Sequence, residues 1–310
     1  MVNNPLIIIV GPTAVGKTEV SMRLAEAIGG EIISADSRLF YRGLDIGTAK
    51  PSLQERARIK HHLIDVSDID DHWSLAVFQE RVYQLSAEIR TKGKIPILVG
   101  GTGQYVRAII EGWIIPEQEP DQNLRRAIQR YGESIGAEKL NEKLQIVDVA
   151  AADKIEPMNL RRTIRAFEVI FSTGKLFSLQ KGKSAINFNY KMIGLSRNRQ
   201  ELYERIDQRI ENMFRDGLIS EVEQIIEKGY SRNLSSLSAI GYKEVIDMLY
   251  GEIDMEEAVR LMKRRTRQYV RRQANWFKQD DPRIKWFNMD LEVLEKIKSF
   301  ILSPNGWNNE

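Results

Sequence analysis

Residues 11–18 combine glycines, a lysine and a threonine at a spacing that suits the binding of phosphate groups. The pattern G-x-x-x-x-G-K-[ST] is matched there by Gly11, Pro12, Thr13, Ala14, Val15, Gly16, Lys17 and Thr18. In such a loop the backbone N–H groups point at phosphate oxygens, the lysine adds a positive charge and the hydroxyl can hold Mg²⁺. We therefore expect this phosphate loop to bind phosphate or pyrophosphate groups, with Thr18 as the metal ligand. The motif leaves open whether the phosphates belong to ATP or to another molecule.

Asp36 is the next residue that could take part in a reaction. It follows residues 31–34, a short run that predicts a strand. In open α/β sheets, ligands bind outside the carboxyl ends of the strands, so Asp36 should face the same crevice as the phosphate loop. An aspartate at this place can also cap the N-terminus of a helix. Taken alone, Asp36 supports both interpretations.

The elements around these residues are typical of a parallel α/β sheet. The phosphate loop is preceded by residues 6–10, a continuous apolar run that predicts a strand buried on both faces, and is followed by a helical pattern over 17–28. Residues 94–99 predict a further strand, which again ends in glycines, Gly100 and Gly101. The repetition of strand, glycine loop and helix predicts an α/β fold with a phosphate-loop core built on a parallel sheet.

Beyond Trp113 the pattern becomes mainly helical. The predicted elements are a helical region at 122–180, a returning strand at 191–195 and long helices at 199–228, 239–250 and 254–279. We therefore predict an inserted all-helical domain, residues 118–197, within an α/β core formed by residues 1–117 and 198–310.

Composition limits the chemistry that this chain can perform. The chain has 310 residues, a net charge of +3 and no cysteine. The missing cysteines exclude disulfides, iron–sulfur clusters, Cys-ligated zinc and thiol catalysis. No apolar run approaches the roughly 20 residues of a membrane span, and no signal peptide is recognisable, so we expect a cytoplasmic protein without a membrane partner. His61, His62 and His72 lack the spacing of metal ligands, and we interpret them as structural or surface residues.

Positive charge is concentrated in two parts of the chain. Residues 118–197 contain 14 Lys and Arg against 9 Asp and Glu, a net charge of +5, whereas the rest of the chain carries −2. A second cluster, with no acid inside it, lies in the last long helix and consists of Lys263, Arg264, Arg265, Arg267, Arg271, Arg272 and Lys278. Both clusters suit contacts with RNA phosphates, and a solvated helix face is the alternative.

Longer strings of residues carry a resemblance to a known family. Residues 34–51 read S-A-D-S-R-L-F-Y-R-G-L-D-I-G-T-A-K-P, and residues 99–105 read V-G-G-T-G-Q-Y. Together with the phosphate loop, they resemble the tRNA dimethylallyltransferase (tRNA isopentenyltransferase) family. The similarity continues over nearly the whole chain in the family's order, at 161–169, 205–209, 240–242 and 266–273. The chain resembles the bacterial form, because without cysteine it cannot carry the zinc finger of many eukaryotic members.

The resemblance implies a reaction and a set of site residues. The dimethylallyl group of dimethylallyl diphosphate would move to N6 of the adenine 3′-adjacent to the tRNA anticodon, with Mg²⁺ as cofactor and diphosphate as product. Asp36 would act as general base, and Arg209 would lie beside the diphosphate with Lys17 and Thr18; a solvated helix face is the alternative for Arg209. Residues expected to bind the tRNA anticodon stem-loop are Asp36, Ser37, Arg38, Leu39, Thr102, Arg125, Arg161, Arg162, Thr163, Ile164, Arg165, Arg267 and Arg271. We expect a monomer.

Two of these positions carry open questions. Leu39 stands where many members of the family have glutamine, so the contact made by this side chain is uncertain from the sequence. Thr102 could bind tRNA, cap the helix that starts near Gln104, or do both.

Three other functions remain open at the level of sequence. A phosphate-loop kinase of a small metabolite would share the loop and the sheet, but it would explain neither the string D-I-G-T-A-K-P nor the basic insertion. A prenyltransferase that uses free AMP or ATP as acceptor would not need the basic surfaces. A non-catalytic RNA-binding ATPase or switch is the third alternative.

Overall fold

The structure, a computed structural model, describes residues 5–71, 73–115, 121–180 and 182–308. The chain divides into two compact units. The core unit comprises Met1–Val106 and Asn187–Glu310, and the inserted unit comprises Arg107–Ile186. The inserted unit overlaps the predicted insertion, 118–197, but ends at Ile186 rather than at residue 197, because the returning strand belongs to the core unit. The predicted start of the insertion, residue 118, lies outside the described residues.

Within the described residues, a parallel six-stranded sheet forms the centre of the core unit. The strands of the chain are β1 (Pro5–Val10), β2 (Gly30–Ser34), β3 (His61–His62), β4 (Ile95–Val99), β5 (Trp113–Ile114), β6 (Gly182–Lys183), β7 (Asn189–Ser196) and β8 (Ile284–Asn288). The sheet has the order β3-β2-β4-β1-β7-β8, and each neighbouring pair is parallel. Ile7, Ile8 and Ile9 of the central strand β1 are fully buried. The predicted parallel α/β core is therefore confirmed.

Helices cover the sheet and build most of the inserted unit. They are α1 (Lys17–Ile28), α2 (Leu53–Arg58), α3 (Leu75–Thr91), α4 (Gly103–Ile110), α5 (Gln122–Ile135), α6 (Ala137–Val147), α7 (Val149–Ala152), α8 (Leu160–Thr173), α9 (Arg199–Arg215), α10 (Leu218–Glu227), α11 (Tyr242–Leu249), α12 (Met255–Trp276) and α13 (Val293–Leu302). Among the helices of the described residues, none has both the length and the apolar composition that crossing a membrane would require.

The helix predicted over 199–228 is two helices. Gly217, which precedes α10, has φ of 102°, a left-handed value that a helix interior does not allow. The chain therefore turns between α9 and α10. This turn brings the N-terminal end of α10 to a loop of the candidate site described below.

Lys191 lies in the returning strand β7, which extends the predicted run of 191–195 by two residues at its start and one at its end. Its side chain is fully buried within β7, and Nζ donates hydrogen bonds of 2.6 Å to the carbonyl oxygens of Phe300 and Ser303. These carbonyls lie at the C-terminal end of α13, where a cation is favourable. The lysine thus ties the last helix to the sheet. Neither α13 nor β8 was among the elements predicted from the sequence.

The inserted unit has its own hydrophobic core. Buried side chains from α5, α6 and α8 meet there, among them Ile128, Leu144 and Phe167. Besides these helices, the unit contains a short antiparallel pair, β5 and β6, in which Ile114 lies opposite Gly182.

Candidate active site

The phosphate loop connects β1 to α1, as its sequence predicts. Gly16 precedes α1 and offers no side-chain cap to the first backbone N–H groups of the helix. Those groups, together with the positive end of the helix dipole, suit an anion. Thr18 lies in the first turn of α1 and is exposed.

Lys17 folds back over the phosphate loop. Its Nζ donates hydrogen bonds to the carbonyl oxygens of Gly11, at 2.9 Å, and of Pro12, at 2.8 Å. Desolvation lowers the pKa of Lys17 to about 8, an effect that Asp36 opposes and Arg209 reinforces. A phosphate oxygen beside Nζ would restore the stability of the charged form. The Lys17 ammonium therefore lies at the phosphate loop, where an anionic ligand would stabilise its charge.

Three side chains from distant parts of the chain hold the phosphate loop. Arg205 Nε donates to the Ala14 carbonyl at 2.9 Å, and Arg197 Nε donates to the Val15 carbonyl at 3.4 Å. Gln273 Oε1 accepts a hydrogen bond from Thr13 N at 2.9 Å. Neither Arg197 nor Gln273 was predicted to contact the phosphate loop, because a local sequence pattern does not indicate contacts between residues so far apart in the chain.

Asp36 lies just past the end of β2, at the carboxyl edge of the sheet. Its Oδ1 accepts a hydrogen bond of 3.0 Å from the backbone N–H of Arg38. The following residues form a turn, so Asp36 does not cap an α-helix. The Asp36 carboxylate acts electrostatically on both Lys17 and Arg209. The structure therefore brings together Asp36, Lys17 and Arg209, which were expected from the sequence to take part in the reaction.

Arg209 points into the site from α9. Its Nη2 donates to the Thr48 carbonyl at 3.3 Å, and its Nε is buried without a hydrogen-bond partner in the part of the chain that the structure describes. Desolvation lowers the pKa of Arg209, and Asp36 acts in the opposite direction. A buried donor of this kind fits an anionic oxygen. The alternative of a solvated helix face does not fit this environment.

A second glycine loop, residues 100–103, lies at the end of β4. Gln273 joins it to the phosphate loop, because Nε2 of the same side chain donates to the Gly101 carbonyl at 2.9 Å. Thr102 directly precedes α4 and shares a side-chain hydrogen bond with Tyr269. Desolvation and the Asp36 charge raise the pKa of Tyr269. Tyr269 and Gln273, one turn apart on α12, therefore face the site, although only the cations of α12 were singled out from the sequence.

The neighbours of Asp36 have mixed environments. Ser37, Arg38 and Leu39 are half-buried. Arg38 Nη1 donates to the carbonyl oxygens of Ser235, at 2.8 Å, and Ser236, at 3.0 Å. Arg38 thus fastens a distant loop to this edge of the sheet, a role that the prediction of a tRNA contact did not include.

The basic cluster on α12 is partly neutralised by acids of the same unit. Arg267 makes hydrogen bonds of 2.7 Å and 2.6 Å to the two carboxylate oxygens of Asp207, and it lies over the ring of Tyr203. Arg271 and Arg272 are exposed. Of the two predicted tRNA-binding residues on this helix, Arg271 therefore presents its charge to solvent, whereas Arg267 already has an internal partner.

The predicted tRNA-binding residues of the inserted unit also differ among themselves. Arg125 and Arg165 both pair with Glu168, at 2.8 Å and 3.0 Å, and that carboxylate is only 1% exposed. Arg161 and Arg162 are exposed on α8. Thr163 and Ile164 are buried in the core of the unit, so the structure does not support a side-chain contact of these two residues with tRNA.

His61 and His62 have partners within the protein. His61 Nδ1 lies 2.7 Å from the Ile59 carbonyl, and His62 Nε2 lies 2.7 Å from Glu31 Oε2. His72 lies outside the described residues. Within residues 5–71, 73–115, 121–180 and 182–308, no three His, Cys, Asp or Glu side chains gather in a way that would hold a metal ion.

Comparisons with known proteins agree on one family. A family model described as IPP transferase matches residues 39–280. A protein named tRNA dimethylallyltransferase from Herpetosiphon aurantiacus is 44% identical over 301 residues, covering 97% of this chain and 96% of the relative. The crystal structure of the tRNA isopentenylpyrophosphate transferase of Bacillus halodurans superposes with a TM-score of 0.72, at 40% identity and 96% coverage of each chain.

A eukaryotic relative extends the comparison to a structure determined during action on tRNA. It is described as a dimethylallyltransferase acting on tRNA, and it superposes with a TM-score of 0.78 at 26% identity. The superposition covers 96% of this chain and 77% of the eukaryotic one.

Proposed function

The chain belongs to the IPP transferase family, and from this premise we propose that it transfers the dimethylallyl group of dimethylallyl diphosphate to N6 of the adenine 3′-adjacent to the anticodon of a tRNA. One observation carries the proposal: the Asp36 carboxylate interacts electrostatically with Lys17 and Arg209 beside an uncapped helix N-terminus. Lys17 and Arg209 suit the binding of the leaving diphosphate, and Asp36 suits the removal of a proton from the acceptor amine.

The first half of the reaction places charge on the diphosphate. As the allylic C–O bond breaks, its electron pair stays on the diphosphate oxygen, and negative charge develops there. The N–H groups at the start of α1, the Lys17 ammonium and the Arg209 guanidinium are positioned to stabilise this charge. Because Lys17 and Arg209 are desolvated, their interaction with an anion is stronger than it would be in water.

The second half forms the C–N bond and removes a proton. The lone pair of an adenine N6 is delocalised into the ring, so the amine is a weak nucleophile and its proton becomes acidic only as the bond to carbon forms. Asp36 takes this proton at that stage. The products are the N6-prenylated adenine, diphosphate and the protonated carboxyl group.

The residues present fit a magnesium ion that arrives with the diphosphate. Thr18 is exposed at the start of α1, where its hydroxyl would hold the ion, and Mg²⁺ usually takes few protein ligands besides phosphate oxygens and water. Lys17 and Arg209 would repel a free cation, so the ion fits this site as a complex with the diphosphate. When bound, Mg²⁺ supplies further neutralisation of the leaving group.

The proposal includes tRNA contacts in both units. The exposed Arg161 and Arg162 support them in the inserted unit, and the exposed Arg271 supports them in the core unit. Cations on a helix surface suit the phosphates of an anticodon stem-loop. An adenine in a loop is easier to unstack than one in a duplex. In this proposal the enzyme works as a monomer in the cytoplasm.

The experiment that tests the function is an incubation with dimethylallyl diphosphate, Mg²⁺ and unmodified tRNA, followed by mass analysis of the nucleosides. We expect prenylated adenosine that depends on enzyme and donor. A parallel reaction with AMP or ATP as acceptor should yield no product. Phosphate release from ATP without prenyl transfer to tRNA would contradict the proposal and favour a kinase or an ATPase.

A further inference from the structure

A carboxylate from α10 binds three consecutive backbone N–H groups of the loop at residues 45–48. Glu221 Oε2 accepts hydrogen bonds from Ile46 N at 2.8 Å and from Asp45 N at 3.1 Å, and Oε1 accepts one from Gly47 N at 3.2 Å. Successive N–H groups that converge in this way form a concave site for an anion. Here a side chain of the protein occupies that site.

Tyr242 completes the arrangement from α11. Its hydroxyl donates a hydrogen bond of 2.6 Å to Glu221 Oε1, and its side chain is fully buried. The ring packs so closely on the loop that a Cβ at Gly47 would lie 2.5 Å from it. Burial and the Glu221 carboxylate raise the pKa of the Tyr242 hydroxyl, so it stays protonated as a donor. The loop is therefore held between a carboxylate and an aromatic ring.

This loop is what Arg209 contacts. The Thr48 carbonyl, one residue beyond the three bound N–H groups, accepts the hydrogen bond from Arg209 Nη2 at 3.3 Å. The other end of the loop is fastened by Lys50, whose buried Nζ donates to Asp65 at 2.6 Å and to the Tyr41 carbonyl at 2.9 Å. With both ends fixed, the position of the Thr48 carbonyl is determined by the loop.

We propose that Glu221 and Tyr242 are positioning residues for the diphosphate site, acting through residues 45–48 on the guanidinium of Arg209. The proposal rests on the proposed function only in taking Arg209 as a ligand of the diphosphate. Neither residue touches the substrate. Their effect is to orient a flexible arginine before binding, so that less side-chain entropy is lost when the anion arrives.

The test measures the binding of inorganic diphosphate with Mg²⁺ by calorimetry, in the absence of tRNA. The variant Tyr242→Phe removes one oxygen and keeps the ring, and Glu221→Gln keeps the shape of the side chain while removing its charge. For each we expect affinity for diphosphate to fall by up to about tenfold, the cost of immobilising one flexible side chain on binding. A matched control, Glu223→Gln, changes an exposed carboxylate of the same helix and should bind like the wild type.

Repeating the measurement in an Arg209→Gln protein distinguishes a positioning role of Tyr242 and Glu221 from a general loss of stability. If both residues act through Arg209, then Tyr242→Phe should weaken diphosphate binding little or not at all in an Arg209→Gln protein. Equal loss in both backgrounds would overturn the proposal, as would unchanged diphosphate affinity with only a lower melting temperature. In prenyl transfer, the KM for dimethylallyl diphosphate should rise while the KM for tRNA stays the same.

Failure of this inference and failure of the proposed function give different results. If Tyr242 and Glu221 control diphosphate affinity but no prenylated adenosine forms, the positioning role stands and the reaction must be another one that uses a diphosphate. If prenyl transfer occurs and the variants bind diphosphate normally, the function stands and the positioning role is wrong.

Discussion

At the scale of single residues, the site depends on one carboxylate, Asp36, and on two cations, Lys17 and Arg209. Desolvation lowers the pKa values of Lys17 and Arg209, and the Asp36 carboxylate acts to raise them. Asp36 thereby favours the charged forms of both side chains, which bind a diphosphate. The same carboxylate must accept a proton later in the proposed reaction. A substitution at Asp36 therefore tests both roles, because electrostatic support of the cations affects diphosphate binding whereas proton acceptance affects turnover.

We expect Asp36→Asn to lower kcat by about 10²-fold to 10⁴-fold, the usual contribution of a general base, because the amide cannot accept the N6 proton. Affinity for tRNA, measured by filter binding, should remain close to that of the wild type. Asp70→Asn, which changes an exposed aspartate of the same unit, serves as the control and should keep full turnover. Near-normal turnover of Asp36→Asn would reject the general-base role.

Gln273 is a second single residue on which the site depends, because the oxygen and the nitrogen of its side-chain amide each make a hydrogen bond to a different loop. It accepts from Thr13 N and donates to the Gly101 carbonyl. We expect Gln273→Glu to lower the free energy of unfolding by about 1 to 3 kcal/mol, since an oxygen would then face the Gly101 carbonyl without a proton between them. Urea denaturation measures this change. Equal stability of the variant would mean that this bridge between the two glycine loops is dispensable.

At the scale of elements, β2 is joined to its surroundings by a buried ion network. Glu31 lies 2.8 Å from Lys94 Nζ and 2.7 Å from His62 Nε2 on the neighbouring strand β3. Burial acts to raise the pKa of Glu31, but the hydrogen bonds from Lys94 and His62 hold it below its usual value of 4.5. The pairing of β2 with the edge strand β3 is therefore stabilised by this network.

This network predicts a pH dependence with a defined sign. Because the folded state lowers the pKa of Glu31, the stabilisation is complete above the unfolded value of 4.5 and is lost as the pH falls through the folded value. At pH 7 we expect Glu31→Gln to reduce the free energy of unfolding by about 2 kcal/mol. The difference between wild type and variant, measured with urea at several pH values, should shrink below pH 4.5. A constant difference down to pH 3 would contradict the assignment.

At the scale of the whole molecule, the two units carry different parts of the proposed function. The core unit holds the phosphate loop, Asp36 and Arg209, and the inserted unit presents Arg161 and Arg162 on α8. Both units have a separate hydrophobic core. The separation predicts that tRNA binding and diphosphate binding can be changed independently.

We expect the double variant Arg161→Gln/Arg162→Gln to weaken tRNA binding and to reduce the salt dependence of the affinity by about one unit of slope for each lost phosphate contact. Diphosphate affinity should not change. Lys139→Gln, which removes an exposed charge from α6, is the control for a general loss of positive charge. Unaltered tRNA affinity of the double variant at every salt concentration would exclude these contacts.

A larger change tests the inserted unit as a whole. Because β7 pairs with β1, removing residues 118–197 would take a strand out of the core sheet. The paired residues Ile114 and Gly182 offer a better junction, since a short turn can replace what lies between them. We expect this shortened protein to bind diphosphate and to lose tRNA affinity. Retained tRNA affinity, by contrast, would place the tRNA contacts in the core unit.

What the sequence determined by itself was local. The phosphate loop is contiguous and lies between an apolar strand and a helix, so its conformation follows from glycine positions and short-range patterning. The tertiary structure alone decided which distant groups hold the phosphate loop: Gln273 is 260 residues from Thr13, and Arg205 is 191 residues from Ala14. It also decided that Arg267 pairs with Asp207, that Thr163 is buried and that Lys191 belongs to the core. Periodicity records which face of an element is apolar, but a polar side chain acquires its partner only when the elements pack.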